Sequence, residues 1–214
     1  MRLKTQKPLL GIAKAVWPLS RGLDAIILGS RLAPRWLPEM PNGIAAEDST
    51  EATLLSCIER FSSDRALQPQ YDLDAFRWLL RQAAEKKMYG ALRKAVLRDS
   101  RGEIIGWYLY YLKPGQIGEV LQFGGRPKTI QKVLNHLFYD AWRQGAVALS
   151  GETEPRFAKD LAKARCEFAL PGYGVLMQSK NPDLLNAVHR GNAFLSRLEG
   201  EWWARFSDPG WSSS

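Results

Sequence analysis

The chain has 214 residues, of which 45% are hydrophobic, 11% aromatic and 24% charged. These proportions suit a packed core beneath a soluble surface, and no apolar run approaches the roughly 20 residues of a membrane-spanning helix. The formal net charge is +8, but seven basic residues (Arg2, Lys4, Lys7, Lys14, Arg21, Arg31, Arg35) face only Asp24 within residues 1–35. That segment holds +6 and the remainder +2, which argues against nucleic acid as a partner of the main domain.

The only histidines, His136 and His189, exclude a His-rich metal site, and no metal-binding residues are assigned. Cys57 and Cys166 sit in no paired spacing and read as buried free thiols. Met1-Arg2-Leu3-Lys4 has the charge of a signal segment, but Lys14 interrupts the apolar stretch behind it. The expected location is cytoplasmic, with association to a membrane surface through the arm as the alternative.

Residues 1–35 carry apolar positions at helical spacing (Leu9, Leu10, Ala13, Val16, Trp17, then Leu23, Ile26, Ile27, Leu32), broken at Pro18. Pro34, Pro38 and Pro41 mark a linker. The division expected is a basic helical arm and linker over 1–41, a main domain over 42–206 and a disordered tail over 207–214.

In the main domain, Gly43–Glu47 reads as a strand. Asp48-Ser49-Thr50-Glu51 has the capping chemistry of a helix running to about Phe61. A polar loop leads to a second helix, capped by Asp72 or Asp74, with Phe76, Leu79, Leu80 and Ala83 as its buried stripe. Strands follow over 91–98, 103–112 and 117–123, the first two joined by the hairpin turn Asp99-Ser100-Arg101-Gly102. A helix spans about 127–144, with Gly145 ending it. A strand over 146–150, a helix over 155–166, a strand over 173–179, a helix over 182–195 and a strand over 196–206 complete the order.

Trp107, Tyr108, Tyr110 and Tyr111 crowd one strand, where alternate members face opposite sides. One pair is expected in the core and the other along a groove or partner surface. His136 and Asp140, one turn apart, read as a surface i,i+4 pair rather than a catalytic dyad.

The most informative stretch is strand 117–123, then Gly124-Gly125-Arg126-Pro127-Lys128-Thr129, then a helix. A glycine-bearing turn ahead of a helix N-terminus can hold a phosphate, because free N–H groups and the helix dipole both favour an anion there.

This order of elements, about residues 43–206, resembles the GNAT superfamily of acyl-CoA-dependent N-acyltransferases, including its two-lobed Fem-type relatives. The local resemblance is best at Gly102–Tyr108, Val120–Phe123 with the glycine turn, and Arg197–Trp203. It implies an α/β (α+β) fold: a central mixed, mostly antiparallel twisted sheet flanked by helices.

It also implies that the fourth strand exposes backbone to pantetheine and that the next turn wraps the CoA pyrophosphate. Leu121, Gln122, Phe123, Gly124, Gly125, Arg126, Lys128 and Thr129 would then bind acyl-CoA or acetyl-CoA. Pro127 stands where the family pattern has a second small residue and lacks an N–H. Family catalysis uses a carboxylate base near the fourth strand and sometimes a tyrosine acid. Here Glu119 is the first candidate base, Glu152 and Glu154 are runners-up, and Tyr173 is the nearest tyrosine.

The resulting expectation is an acyl-CoA-dependent N-acyltransferase acting on a small-molecule or peptide amine. A second GNAT-like lobe upstream, or a second copy, is the expected protein partner. The alternative is a non-catalytic GNAT-like lobe that packs on a catalytic domain. A Fem-type enzyme using aminoacyl-tRNA would need a broad basic surface, which +2 over residues 36–214 does not provide.

Overall fold

The computed structural model describes residues 38–168 and 177–199. The chain divides into two units, Met1–Pro38 and Glu39–Ser214, and the sheet belongs to the second. The N-terminal arm, residues 173–176, the stretch 200–206 and the tail lie outside the described residues, and so does Tyr173.

The elements in chain order are β1 (Ile44–Glu47), α1 (Glu51–Ser62), α2 (Leu73–Glu85), β2 (Ala91–Asp99), β3 (Ile104–Leu112), β4 (Ile117–Gly125), α3 (Ile130–Arg143), β5 (Ala148–Ser150), α4 (Ala158–Lys163) and α5 (Pro182–His189). Local chemistry sets the boundaries. The Thr50 hydroxyl accepts from Thr53 N at 3.2 Å to start α1, and the Asp72 carboxylate accepts from Ala75 N at 2.7 Å to start α2. Each satisfies an amide that the helix itself leaves unpaired. In the β2–β3 hairpin, Asp99 Oδ1 accepts from Arg101 N and Glu103 N at 2.9 and 3.1 Å. Gly102 completes that turn at φ +78°, a conformation in which a β-carbon is strained.

The five strands lie in the order β1-β2-β3-β4-β5. The first three pairings are antiparallel. β4 and β5 run parallel, because α3 carries the chain back across the sheet between them. This is the mixed, mostly antiparallel, helix-flanked sheet implied by the resemblance to the GNAT superfamily.

Both faces of the sheet are covered. On one, Leu97, Ile105, Tyr108, Tyr110, Val120 and Phe123 pack against α3 and α4. On the other, Val96, Trp107, Leu109, Tyr111 and Leu121 pack against α1, α2, Phe194 and Leu198. Two-sided burial explains why β3 reads as an unbroken apolar run rather than an alternating one. It also corrects the groove expectation. Trp107, Tyr108, Tyr110 and Tyr111 are all fully buried, so both sets of this aromatic strand are core.

Four further expectations change at the C-terminal side. α5 ends at His189, well before residue 195, because Gly191 at φ +64° reverses the chain while Gly191 N and Asn192 N bond back to Val188 and Ala187 carbonyls. α4 is one short helix behind a 3-10 turn at Pro155–Phe157. Residues 177–179 form no strand, and residues 197–199 are a turn, closed by Glu199 N donating to Ser196 O at 3.2 Å, rather than strand.

Candidate active site where β4 and β5 part

β4 and β5 pair over three residues only, ending at Glu119↔Ser150. Beyond that point β4 runs on to Gly125, while the other chain leaves through Gly151–Glu154. β4 is also bulged. Tyr110 pairs with Val120 and Leu109 with Gln122, so Leu121 is an extra residue opposite β3. A bulge leaves one residue out of the ladder, bends the strand and turns adjacent side chains to one face. Here Leu121 and Gln122 both point to the α1–α2 side, whereas Val120 and Phe123 point to the α3 side.

The parting encloses a cavity of about 20 Å³, bordered by β4 from Val120 to Phe123, by Glu152 and Glu154, and by the 194–196 segment. That is room for about one water molecule.

Carboxylates converge on it. Glu152 is half-buried, and that burial raises its pKa above the ordinary value, with Arg197 opposing and Glu199 and Glu154 reinforcing. Burial likewise raises Glu154, which is paired with Arg65 at 2.9 Å. Glu119, the first candidate base, is held by the Arg197 guanidinium, whose other nitrogen lies 3.4 Å from Ser150 Oγ. Glu152 is therefore a carboxyl raised by burial at the parting, and Glu119 a member of an ion pair.

Gln122 is buried and fully engaged. The Trp107 indole can only donate, so its Nε1 at 2.9 Å fixes the Gln122 oxygen. The Gln122 amide nitrogen then donates to Ser196 Oγ at 3.2 Å and Glu199 Oε1 at 3.0 Å. Glu199 also accepts from the Tyr71 hydroxyl, the Ser196 hydroxyl and, at 2.8 Å, Ser196 N. Burial raises the Glu199 carboxyl, and these donors oppose that shift.

The glycine turn differs from its expected form. Gly124 and Gly125 belong to β4 and pair with Trp107 and Gly106. The strand passes so close to β3 that a β-carbon at residue 125 would lie 2.6 Å from Ile105 O. These glycines therefore serve sheet packing, and the true bend is Arg126–Thr129. There Thr129 N and Ile130 N both donate to Arg126 O at 2.9 Å, and Thr129 Oγ1 donates to Ile105 O at 3.0 Å. The Thr129 amide of the expected phosphate nest, and the Ile130 amide next to it, are thus spent within the bend.

Cations stand in their place. Arg60 and Arg126 lie 5.6 and 5.9 Å from the Phe61 ring. Arg156 donates to Gly125 O at 3.1 Å and to Asp64 at 2.9 Å, and its Nε is buried without a hydrogen-bond acceptor. Lys128 is exposed on the bend. The sequence alone does not single out Arg60, Arg156, Tyr71, Arg197 or Glu199 as site residues. Each arrives from an element distant in sequence, and a lone polar residue in a helix or loop carries no local signal of that.

The His136–Asp140 pair is neither a surface pair nor a dyad. His136 is buried, with Nδ1 3.1 Å from the Tyr108 hydroxyl, and its burial lowers its pKa. Asp140 accepts from Tyr110 at 2.6 Å and Gln144 at 2.7 Å. Burial pushes the Cys57 thiol up to about 11 and raises that of Cys166, so neither is an activated nucleophile. Among the described residues there is no cluster suited to a metal ion and no helix long and apolar enough to cross a membrane.

No protein-family model matches the chain, and no curated protein matches it. Among solved structures, the chain is similar to an acetyltransferase of Trypanosoma brucei at 12% identity and a TM-score of 0.42, covering 63% of this chain and 99% of that one. It is similar to glucosamine-6-phosphate N-acetyltransferase from Arabidopsis thaliana at 12% identity and 0.42, covering 64% and 97%. A GCN5-related N-acetyltransferase from Sphaerobacter thermophilus matches at 23% identity and 0.39, covering 60% of this chain and 42% of that one. Likeness at this level carries no activity over to this chain.

Proposed function

We propose that the chain is an acyl-CoA-dependent N-acyltransferase acting on a primary amine, with its reaction centre at the parting of β4 and β5. The observation that carries this reading is the bulged β5-side edge of β4, unpaired past Glu119 among the described residues and lying beside Glu152. An extended acyl-pantetheine arm can bond along such an edge much as an added strand would. A backbone amide there is also suited to an oxyanion, since it is already oriented when charge develops.

The cations at the Arg126–Thr129 bend fit a diphosphate. Arg60, Arg126, Lys128 and Arg156 supply charge that Pro127 and the internally bonded amides do not. Glu152 would take a proton from the acceptor's ammonium. The freed nitrogen lone pair would form the C–N bond at the thioester carbonyl, the C–S bond would break, and the second proton that the nitrogen loses as the amide forms would pass to the leaving thiolate, giving free CoA. A carboxylate raised by burial suits that role, because a base works best with a pKa near the working pH.

A non-catalytic lobe is the second reading. It is favoured by the one-water size of the cavity and by the Arg197–Glu119 pair at the point where β4 and β5 separate. Calorimetric titration with acetyl-CoA and longer acyl-CoAs separates the two. Binding heat and a raised melting temperature support the enzyme; neither at millimolar ligand leaves only the lobe.

A further inference from the structure

The cavity at the parting is far below the roughly 300–1,000 Å³ of a typical ligand site. Part of its border must therefore move before any acyl chain enters. β4 is held on its other edge by β3 along most of its length. The Glu154 side is pinned by the buried Arg65 pair, with Arg65 also donating to Gly191 O at 3.2 Å. The third border is the Ser196–Glu199 turn. Its backbone anchors precede it: Ala66 N and Leu67 N donate to Asn192 O, and Phe194 N donates to Leu67 O at 2.8 Å.

Past Phe194, side chains also tie the segment to the parting. Arg197 reaches Glu119 on β4 and Ser150 on β5, the last pair before the strands separate. Ser196 and Glu199 take the Gln122 amide, and Tyr71 closes on Glu199 from the loop ahead of α2. Leu198 is fully buried in the core between the sheet and the α1–α2 layer.

We infer that Leu195–Glu199 is a strap that closes the cleft between β4 and β5, latched by Arg197 across Glu119 and Ser150 and hinged at the Asn192–Phe194 anchors. Ligand entry lifts it. The strap itself rests on these contacts; the need for it to lift and the choice of acetyl-CoA as probe rest on the acyl-CoA reading. A closed resting state lowers apparent affinity by the fraction of molecules that are open, so weakening the latch raises affinity.

The test compares the full chain with its Arg197→Ala and Glu119→Gln variants, the second unlatching the strap from the β4 side should the first fail to fold. Amide hydrogen exchange is read over Val120–Phe123 without ligand, with β2 and α3 peptides as fold controls, and acetyl-CoA affinity is read by calorimetry. The strap predicts exchange at Val120–Phe123 faster by about tenfold, controls unchanged, and acetyl-CoA bound more tightly by a similar factor. Unchanged exchange in a folded variant overturns it. So does faster exchange with weaker binding, which would make the segment a wall of the site. If no protein binds acetyl-CoA, the acyl-CoA reading fails and the exchange result alone judges the strap.

Discussion

The Trp107 indole lies where residue 124 has no room for a side chain: a β-carbon on Gly124 would stand 2.2 Å from the ring. Trp107 is in turn stacked on Phe61 of α1, with ring centroids 5.9 Å apart, and bonded to Gln122. The glycine, the tryptophan and the α1–α2 layer therefore form one packed unit under the candidate site. Gly124→Ala forces that ring to shift and is expected to cost about 1–3 kcal/mol. Urea denaturation checks it, and Gly102→Ala is the contrast. Nothing lies within 4 Å of a β-carbon at Gly102, so its cost comes from the positive φ alone.

As the base of the proposed reaction, Glu152 would set its pH behaviour. Its folded pKa is raised, chiefly by burial, so the folded protein holds that proton to higher pH than the unfolded chain does. A base must be deprotonated, so kcat/KM should fall as pH drops through the raised value. Glu152→Gln should remove that limb with a loss of about 10²–10⁴ in rate. Stability runs the opposite way. The Glu152 contribution is full below the unfolded pKa and is lost as pH rises through the folded one. Glu152→Gln should therefore melt higher than wild type above that window and equal to it below; melting curves across pH test this.

Most of the fold is legible in the sequence, and for identifiable reasons. Thr50 and Asp72 sit at N-caps, Asp99–Gly102 forms a hairpin turn, and the stripes of α2 and α3 have helical period, all of them local signals. The site is legible only in outline. Glu152, Leu121 and Gln122 lie at the parting, a place that follows from strand order. Gly124-Gly125 reads as a loop because two glycines usually mark a turn. Nothing near them in sequence announces that Trp107, seventeen positions earlier, needs the space. Glu119 and Arg197 are 78 positions apart, and their pairing belongs to tertiary structure alone.

Arg65 and Glu154 form a closely buried ion pair, with side chains 9% and 6% exposed. Removing one partner strands a charge and should cost about 3–5 kcal/mol, so Arg65→Met or Glu154→Leu alone is strongly destabilising. The double variant should recover much of that loss, which a double-mutant cycle by chemical denaturation would read.

Arg126 is half exposed and pairs with Glu103 at 3.8 Å, so Arg126→Gln should change stability by no more than about 1 kcal/mol. If its charge meets a diphosphate, the same change should weaken acetyl-CoA binding about tenfold or more and flatten its dependence on salt. Titrations at two ionic strengths provide the check.

The most direct measurement is single-turnover transfer of a labelled acetyl group from acetyl-CoA to a panel of primary amines. It would be run on wild type, Glu152→Gln and Arg197→Ala. A transferase with its base at the parting of β4 and β5 gives a labelled amide with wild type and with the unlatched variant, and little or none with Glu152→Gln. No transfer by any of the three, or equal transfer by all three, would contradict it.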